Sequence, residues 1–242
     1  EGEINYLKDF SPSIGTSTAE VPGPGYLYQI DATIADVYLV SEQDRAEIVG
    51  RPTMYFVVDV FSRAIVGMYI GLENASWVSA MEALGNAMAN KVDYCAEHGI
   101  DITPDLWPMQ GLPEHIIGDK GEMLGRHVEV LSKAFHVEIQ NTPAYRADWK
   151  GIVERYFRTV QTKMKPFVEG YVTKNPIGKK RHGNDYRQDG ILTLKEFTKM
   201  MIKIVLHYNN DHVIRTYDID SDIPKKLPAN PLALWTWGIE YR

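Results

Sequence analysis

Three acidic residues stand out because of the segments around them. Asp31 lies in the middle of an apolar, β-branched stretch, residues 26–40. Asp119 directly follows the short apolar run HIIG, and Glu154 comes early in an amphipathic stretch that begins after Gly151. A carboxylate inside a strand is costly to bury unless it is paired or binds a cation. These acids are therefore candidates for a metal-binding site.

A donor set of three carboxylates restricts both the cations that bind and the reactions that they support. Three carboxylates without a cysteine suit hard cations such as Mg²⁺ or Mn²⁺. Two such ions, about 3.5–4 Å apart, stabilise the attacking and leaving oxygens of an in-line phosphoryl displacement. The acids then act as ligands, so no histidine base is needed. The pattern favours phosphoryl transfer with two Mg²⁺ ions, for which Mn²⁺ substitutes.

The elements that must position these acids follow from apolar patterning. Apolar, β-branched runs with short links predict an antiparallel meander of three strands, and later strands alternate with helical spacing. The predicted strands are 26–40, 52–60, 64–71, 115–118 and 137–141, and the predicted helices are 74–98, 122–135, 152–167 and 193–210. This order predicts an α/β fold with a mixed five-stranded sheet, three antiparallel strands then two parallel, and helices on both faces. It is the ribonuclease H-like order, although the order alone leaves several α/β folds open.

Two helices carry recognisable inward faces. In 74–98 the apolar stripe predicts that one side faces the core, and Gly99 is a plausible stop. The helix at 193–210 has the same kind of stripe, and the proline-containing end of the chain is predicted to be irregular. The two predicted stripes are Trp77, Met81, Leu84, Met88 and Val92, and Leu194, Phe197, Met201, Val205 and Tyr208.

This fold brings the acids together if two strands are neighbours. Ligands of open α/β sheets collect at the carboxyl ends of strands. If the first strand lies beside the strand that ends at Asp119, then Asp31 and Asp119 stand side by side. The helix that carries Glu154 can then place its carboxylate over both.

Charge is unevenly distributed along the chain. The net charge is −6, yet residues 141–190 hold 11 Lys and Arg against 5 Asp and Glu. A basic segment in an acidic chain indicates either solvated charge or a surface that faces a polyanion. The residues around the Glu154 helix that would form such a surface are Arg146, Lys150, Arg155, Arg158, Gln161 and Lys165.

Composition excludes several classes of protein. One cysteine, Cys95, rules out a disulfide framework and a cysteine-based zinc site, and is consistent with a reducing, cytoplasmic compartment. No apolar run approaches the roughly 20 residues of a membrane span. The chain starts without methionine, so we expect a fragment of a longer protein. The predicted units are a leader at 1–25, a core at 26–168, a basic mobile loop at 169–190 and a helical and irregular C-terminal extension at 191–242.

Each acid also has a simpler interpretation. Asp31 could be a solvated acid on an edge strand, Asp119 could cap the following helix, and Glu154 could pair with Arg158 one turn later. Asp59, in FVVDVFSR, is more consistent with a structural role, such as pairing with Arg63.

Three further residues are weaker candidates. Glu122 is interpreted as an exposed acid in the first turn of a helix. His115 and His127 are interpreted as core or surface residues, because no second soft ligand stands at a useful spacing.

Four segments follow one another in a characteristic order: YQIDATIADVYL, FVVDVFSRAIVGMYI, HIIGDKGEM and TPAYRADWKGIVERYFRTVQ. Together they resemble the catalytic core of the DDE transposases and retroviral-type integrases, and the resemblance covers roughly residues 26–168. Between Asp119 and Glu154 lie 34 residues, one fewer than is typical of the family. The 88-position gap from Asp31 to Asp119 and the C-terminal PLALWTWG resemble the TnsB-type transposases of bacterial cut-and-paste transposons.

The resemblance implies a function and partners. Asp31, Asp119 and Glu154 would be the metal-binding catalytic triad. The implied reaction is nicking at transposon 3′ ends, followed by attack of the 3′-hydroxyls on target DNA. The implied partners are transposon-end and target DNA, further copies of the chain, an endonuclease subunit and an AAA+ ATPase regulator. The alternatives are a catalytically silent DNA-binding or assembly module, and a nuclease of the same fold that only hydrolyses DNA.

Overall fold

The structure is a computed structural model of the chain. It describes residues 21–118, 137–141, 156–157, 159, 190–214, 217 and 223–242. The predicted helix at 122–135, the basic loop at 169–190 except its last residue, and most of the predicted helix at 152–167 lie outside these residues. Where the structure describes the chain, no helix is both long and apolar enough to cross a membrane.

A five-stranded mixed sheet forms the centre of the fold. Its strands are β1 (Leu27–Ile34), β4 (Thr53–Asp59), β5 (Ile65–Gly71), β6 (His115–Gly118) and β7 (Glu138–Asn141), in the order β5-β4-β1-β6-β7. The first three are antiparallel, whereas β6 is parallel to both β1 and β7. This confirms the predicted ribonuclease H-like sheet. Since β1 is the central strand, the interpretation of Asp31 as an edge-strand acid is wrong.

The register assigns side chains to the two faces. Residues that pair directly share a face, and neighbours along a strand alternate. Asp31 pairs with Phe56, and Phe56 pairs with Met68, so these three share one face. Ala32 pairs with Tyr55 on the other face.

Helix α1 (Trp77–Met88) covers the Tyr55 face at close range. A Cβ on Gly67 of β5 would stand 2.5 Å from the Ala83 carbonyl oxygen and 2.8 Å from the Ala87 Cβ, so only glycine fits there. Small residues therefore form the centre of the contact, and Trp77 and Met81 lie at its margin. The predicted apolar stripe identifies the correct helix, but it is centred to one side of the face that contacts the sheet.

The predicted helix at 74–98 is two helices, α1 and α2 (Lys91–Glu97). Asn90 separates them because its side chain accepts hydrogen bonds from the Val92 and Asp93 amides. The buried Lys91 ammonium donates to the carbonyls of Asn86 and Ala89, at 2.7 and 2.9 Å. Burial lowers the pKa of Lys91 to about 8. The predicted stop is confirmed, since Gly99 has a φ of 64° and its amide donates to Ala96.

Two further boundaries differ from the sequence prediction. The first strand ends at Ile34, and the chain then forms a separate two-stranded sheet of β2 (Leu39–Val40) and β3 (Ile48–Gly50). The C-terminal stretch contains helix α4 (Pro231–Tyr241) where irregular chain was predicted. Asn230 caps this helix by accepting from the Ala233 amide at 2.8 Å, and proline is favourable in the first turn.

Helix α3 (Leu194–Asp211) closes the edge of the sheet at β5. Asn209 is fully buried, and its side chain accepts from the Ile65 amide at 2.9 Å and donates to the Ile65 carbonyl at 3.0 Å. The Trp107 indole donates to the same carbonyl at 2.8 Å. The inward face of α3 is confirmed by buried Phe197, Met201, Val205 and Tyr208.

We predict that Asn209→Ala destabilises the fold by about 2–3 kcal/mol, because the buried Ile65 amide loses its acceptor. Asn210→Ala is the matched control, since the half-buried Asn210 amide donates to the Leu106 and Leu206 carbonyls and not to a strand. We expect it to cost under about 1 kcal/mol. Denaturant unfolding measures both, and equal losses would contradict a special role for Asn209.

Candidate active site

Asp31 stands in the middle of the central strand. Its carboxylate is half-buried, between the buried Ile30 and the half-buried Ala32. Its direct partner across the sheet is Phe56, which is fully buried in β4. The sheet therefore fixes the position of this acid from one side, while its carboxylate remains partly accessible.

The neighbouring parallel strand runs toward the same end of the sheet. Gln29 of β1 pairs with Ile117 of β6. Asp31 and Asp119 each come two residues after this pair. Asp119 itself lies outside the described residues, so the structure supports the strand neighbours that the prediction requires without describing the second acid.

A helical segment packs on the face of the sheet that carries Asp31. It comprises Tyr156, Phe157 and Thr159, and we call it the Tyr156 segment. The ring centroids of Tyr156 and Phe157 lie 4.8 and 5.5 Å from that of Phe56, the cross-strand partner of Asp31. Since α1 covers the other face, helices lie on both faces as predicted.

The remaining predicted site residues lie outside the described part of the chain. They are the triad members Asp119 and Glu154 and the DNA contacts Arg146, Lys150, Arg155, Arg158, Gln161 and Lys165. Among the described residues, no group of three His, Cys, Asp or Glu side chains could hold a metal ion. Asp31 itself is half-buried, and carboxylate oxygens are donors of the kind that Mg²⁺ prefers.

The loop after β1 is held by an ion pair that the sequence analysis missed. The Arg51 guanidinium donates to the Ala35 carbonyl at 2.7 Å and to the Asp36 carboxylate at 2.5 Å. Asp36 is buried, with 7% of its surface exposed. Both residues lie near the end of β1 toward which Asp31 is placed. The sequence shows only an acid and a base 15 residues apart, and this spacing does not predict that they pair unless the fold is known.

Asp59 has the structural surroundings that the sequence suggested. Its carboxylate is completely buried and accepts from the Gly25 amide at 2.9 Å, the Ser62 amide at 2.7 Å and the Ser62 hydroxyl at 2.6 Å. Burial raises the pKa of Asp59 from 3.8 to about 6, against the lowering effects of these donors and of Arg63. Asp59 thus joins residue 25 to the β4–β5 turn.

His115 lies at the opposite end of the sheet from the candidate site. Its Nδ1 is 3.1 Å from the Glu138 carboxylate, and its ring packs against Tyr26. His115 pairs with Leu27 at the start of β1. This agrees with its interpretation as a residue outside the metal site.

The chain is similar to known transposases. The family model of the TnsB C-terminal domain matches residues 29–170. The transposon Tn7 transposition protein TnsB of Escherichia coli is 47% identical over 98% of this chain and 34% of that protein. The transposase for transposon Tn552 of Staphylococcus aureus is 24% identical over 63% of this chain and 29% of that protein. The chain thus spans about a third of the length of these relatives.

Solved structures with a similar fold include a retroviral integrase core and a retroviral intasome. The HTLV-2 integrase catalytic core domain in complex with magnesium, in its dimeric form, has a TM-score of 0.46 and 12% identity, over 82% of this chain and 95% of that chain. The simian T-cell lymphotropic virus intasome in complex with a PP2A regulatory subunit has a TM-score of 0.46 and 14% identity, over 84% of this chain and 58% of that chain.

The raised pKa of Asp59 predicts a pH dependence of stability. Because the folded pKa of about 6 exceeds the unfolded value of 3.8, this group's contribution is fully present below pH 4 and is lost as pH rises through 6. The loss is about 3 kcal/mol. Asp59→Asn removes this component, so the change in unfolding free energy between pH 4 and pH 7.5 should be smaller in the variant.

Ser62→Ala provides the matched control. It removes a hydroxyl that lowers the pKa of Asp59, so it should enlarge the pH-dependent loss. Unfolding in denaturant across this pH range measures both variants. An unchanged pH dependence in Asp59→Asn would show that the carboxyl does not titrate in this range.

Proposed function

The chain belongs to the TnsB C-terminal domain family, and we propose that it is the catalytic core of a DDE transposase. In this proposal it nicks DNA at transposon 3′ ends and joins the 3′-hydroxyls to target DNA during cut-and-paste transposition. The observation that carries the proposal is the placement of Asp31 on the central strand, beside the parallel strand that precedes Asp119.

The sequence positions of the three acids relative to the described strand pair and helix support the proposed triad. Asp31 and Asp119 follow the paired residues Gln29 and Ile117 by the same number of positions, so a continued parallel register would set them side by side. Glu154 precedes the buried Tyr156 by two residues. At about 100° per residue, a continuous helix would place Glu154 about 60° from Phe157 and about 160° from Tyr156, which is the flank of the face that these two rings form against Phe56.

We propose that Asp31, Asp119 and Glu154 hold two Mg²⁺ ions. When bound, the ions would supply Lewis-acid stabilisation of the reacting phosphate and activation of the attacking hydroxyl. The chain's own part is to fix two ligands on adjacent strands and the third on a helix. The adjacent strands would set the spacing of Asp31 and Asp119 before any ligand binds.

DNA contacts belong to the basic residues around the same helix. We propose that Arg146, Lys150, Arg155, Arg158, Gln161 and Lys165 contact DNA beside the acids, mainly through phosphates. In the whole protein the partners would be transposon-end and target DNA, further copies of the chain, an endonuclease subunit and an AAA+ ATPase regulator. Since the chain is acidic overall, most of the DNA affinity would come from other domains of a longer protein.

We predict that Asp31→Asn, Asp119→Asn and Glu154→Gln each reduce DNA nicking and joining by at least about 10³-fold, because each removes a charged metal ligand. DNA binding should be retained. The assay uses a labelled transposon-end duplex, a target plasmid and Mg²⁺ or Mn²⁺, and it reports nicked and joined products separately.

Glu138→Gln is the control for the triad variants, because Glu138 is exposed and pairs with His115 at the far end of the sheet. It should retain activity. Retained joining by Asp31→Asn would overturn the metal-site assignment, whereas products that are nicked but never joined would indicate a nuclease.

We predict that Arg158→Gln weakens DNA binding several-fold and reduces the dependence of log affinity on log salt by about 1, because one phosphate contact is lost. Lys195→Gln is the matched control, since Lys195 is exposed, pairs with Glu42 and lies outside the basic segment at residues 141–190. Binding is measured by fluorescence anisotropy at several salt concentrations. An equal loss in both variants would indicate a general charge effect.

A further inference from the structure

The face of β1 that carries Asp31 is polar, although β1 is the central strand of the sheet. Gln29, Asp31 and Thr33 share this face because side chains alternate along a strand. Their direct partners on β4 are the fully buried apolar residues Val58, Phe56 and Met54. Since the neighbouring strand is apolar throughout this face, packing alone does not require polar residues on β1.

Exposure on β1 increases toward the end of the strand. Gln29 is 1% exposed, whereas Asp31 and Thr33 are half-buried. Ile34, which ends the strand, is 55% exposed. The strand is therefore closed on the Gln29 side of Asp31 and open on the Thr33 side. A ligand that reaches Asp31 from solvent along this strand passes Thr33.

Thr33 offers a hydroxyl at a nearly fixed distance from Asp31. Residues two positions apart in a strand are separated by about 7 Å. Thr33 pairs with Met54, so the antiparallel ladder that holds Asp31 holds Thr33 as well. The β-branched side chain of threonine has few rotamers, which restricts the direction of its hydroxyl. Such a hydroxyl can donate a hydrogen bond to a phosphate oxygen without changing the charge of the site.

We propose that the Thr33 hydroxyl donates a hydrogen bond to a DNA phosphate that neighbours the phosphate reacting at Asp31. This inference rests on the proposed function, which places the reacting phosphate at Asp31, and it adds the direction in which the DNA strand leaves the site. A DNA strand carries a phosphate at every nucleotide, so a strand held at Asp31 presents another phosphate toward the open side. Thr33 is then a substrate-binding residue that keeps the reacting strand in place.

The first test compares Thr33→Val with Thr33→Ser in the joining assay that uses the labelled transposon-end duplex and a target plasmid. Valine keeps the shape of the side chain and favours a strand, but it removes the hydroxyl. Thr33→Val should therefore reduce joining about tenfold, as the loss of a hydrogen bond to a charged group does, without lowering the Tm. Thr33→Ser keeps the hydroxyl and should keep most of the activity.

The second test identifies the phosphate that accepts from Thr33. Phosphates near the reacting 3′ end are replaced one at a time by neutral methylphosphonates. In the wild type, replacement of the partner phosphate should reduce joining about tenfold, whereas in Thr33→Val the same replacement should cause little further loss. A merely structural role of Thr33 would instead lower joining by the same factor with every modified duplex.

Thr53→Val is the matched control on the opposite face of the same sheet. Thr53 pairs with Ile34, and its hydroxyl donates to the Glu73 carbonyl at 2.8 Å. Removing this hydroxyl breaks a hydrogen bond within the protein, so the Tm should fall. The loss of joining caused by each methylphosphonate should remain as in the wild type.

Two results would overturn the inference while the proposed function stands. They are joining by Thr33→Val equal to that of the wild type, and a loss in Thr33→Val that is the same with every modified duplex. Asp31→Asn separates the two proposals, because only the role of Thr33 fails if Asp31→Asn abolishes joining in either case. Retained joining by Asp31→Asn, or a wild type that joins no DNA, would overturn the proposed function and this inference together.

Discussion

The pairing of β1 with unlike neighbours on its two sides is the constraint on which the rest of the structure depends. On one side β1 pairs antiparallel with β4, and on the other it pairs parallel with β6. The antiparallel side needs only short connections, whereas a parallel neighbour requires a crossover. The chain supplies it between β5 and β6, where α1 covers one face. Asp31 comes two residues after the last pair of the parallel ladder and pairs with Phe56 in the antiparallel ladder, on the face opposite α1.

Backbone polar groups at the edge of this sheet must be satisfied because they are buried under helices. At β5 the partners are side chains: Asn209 and Trp107 for Ile65, and Asn86 for the Met68 amide at 3.0 Å. Such side chains also fix the depth at which helices pack, because a misplaced helix would leave a buried amide unpaired. The edge therefore sets where α1 and α3 lie, and α3 in turn supplies Tyr208 to the aromatic contacts of the Tyr156 segment.

The sequence predicted the strands of the sheet better than the boundaries of the helices, because helix boundaries here depend on tertiary contacts. Strand β6 matches its prediction because a short apolar run bounded by polar residues has little choice of structure. The break at Asn90 was missed because it depends on a side-chain cap and on a buried lysine, which are tertiary contacts. Helix α4 was missed because proline was treated as a breaker, although Pro231 starts a helix. The place of Asp31 was predicted correctly, whereas Asp119 and Glu154 stay predictions.

A site of three carboxylates sets a particular requirement on the fold that holds it. Like charges brought together repel one another, and a bound cation reverses this effect. Adjacent strands suit two of the acids, because the ladder of hydrogen bonds holds them against that repulsion. A third acid on a helix can move apart when no cation is present, provided that the helix is attached through apolar contacts. The described contacts of the Tyr156 segment with Phe56 and Tyr208 are of this aromatic kind, whereas Asp31 is held by the strand ladder of the sheet.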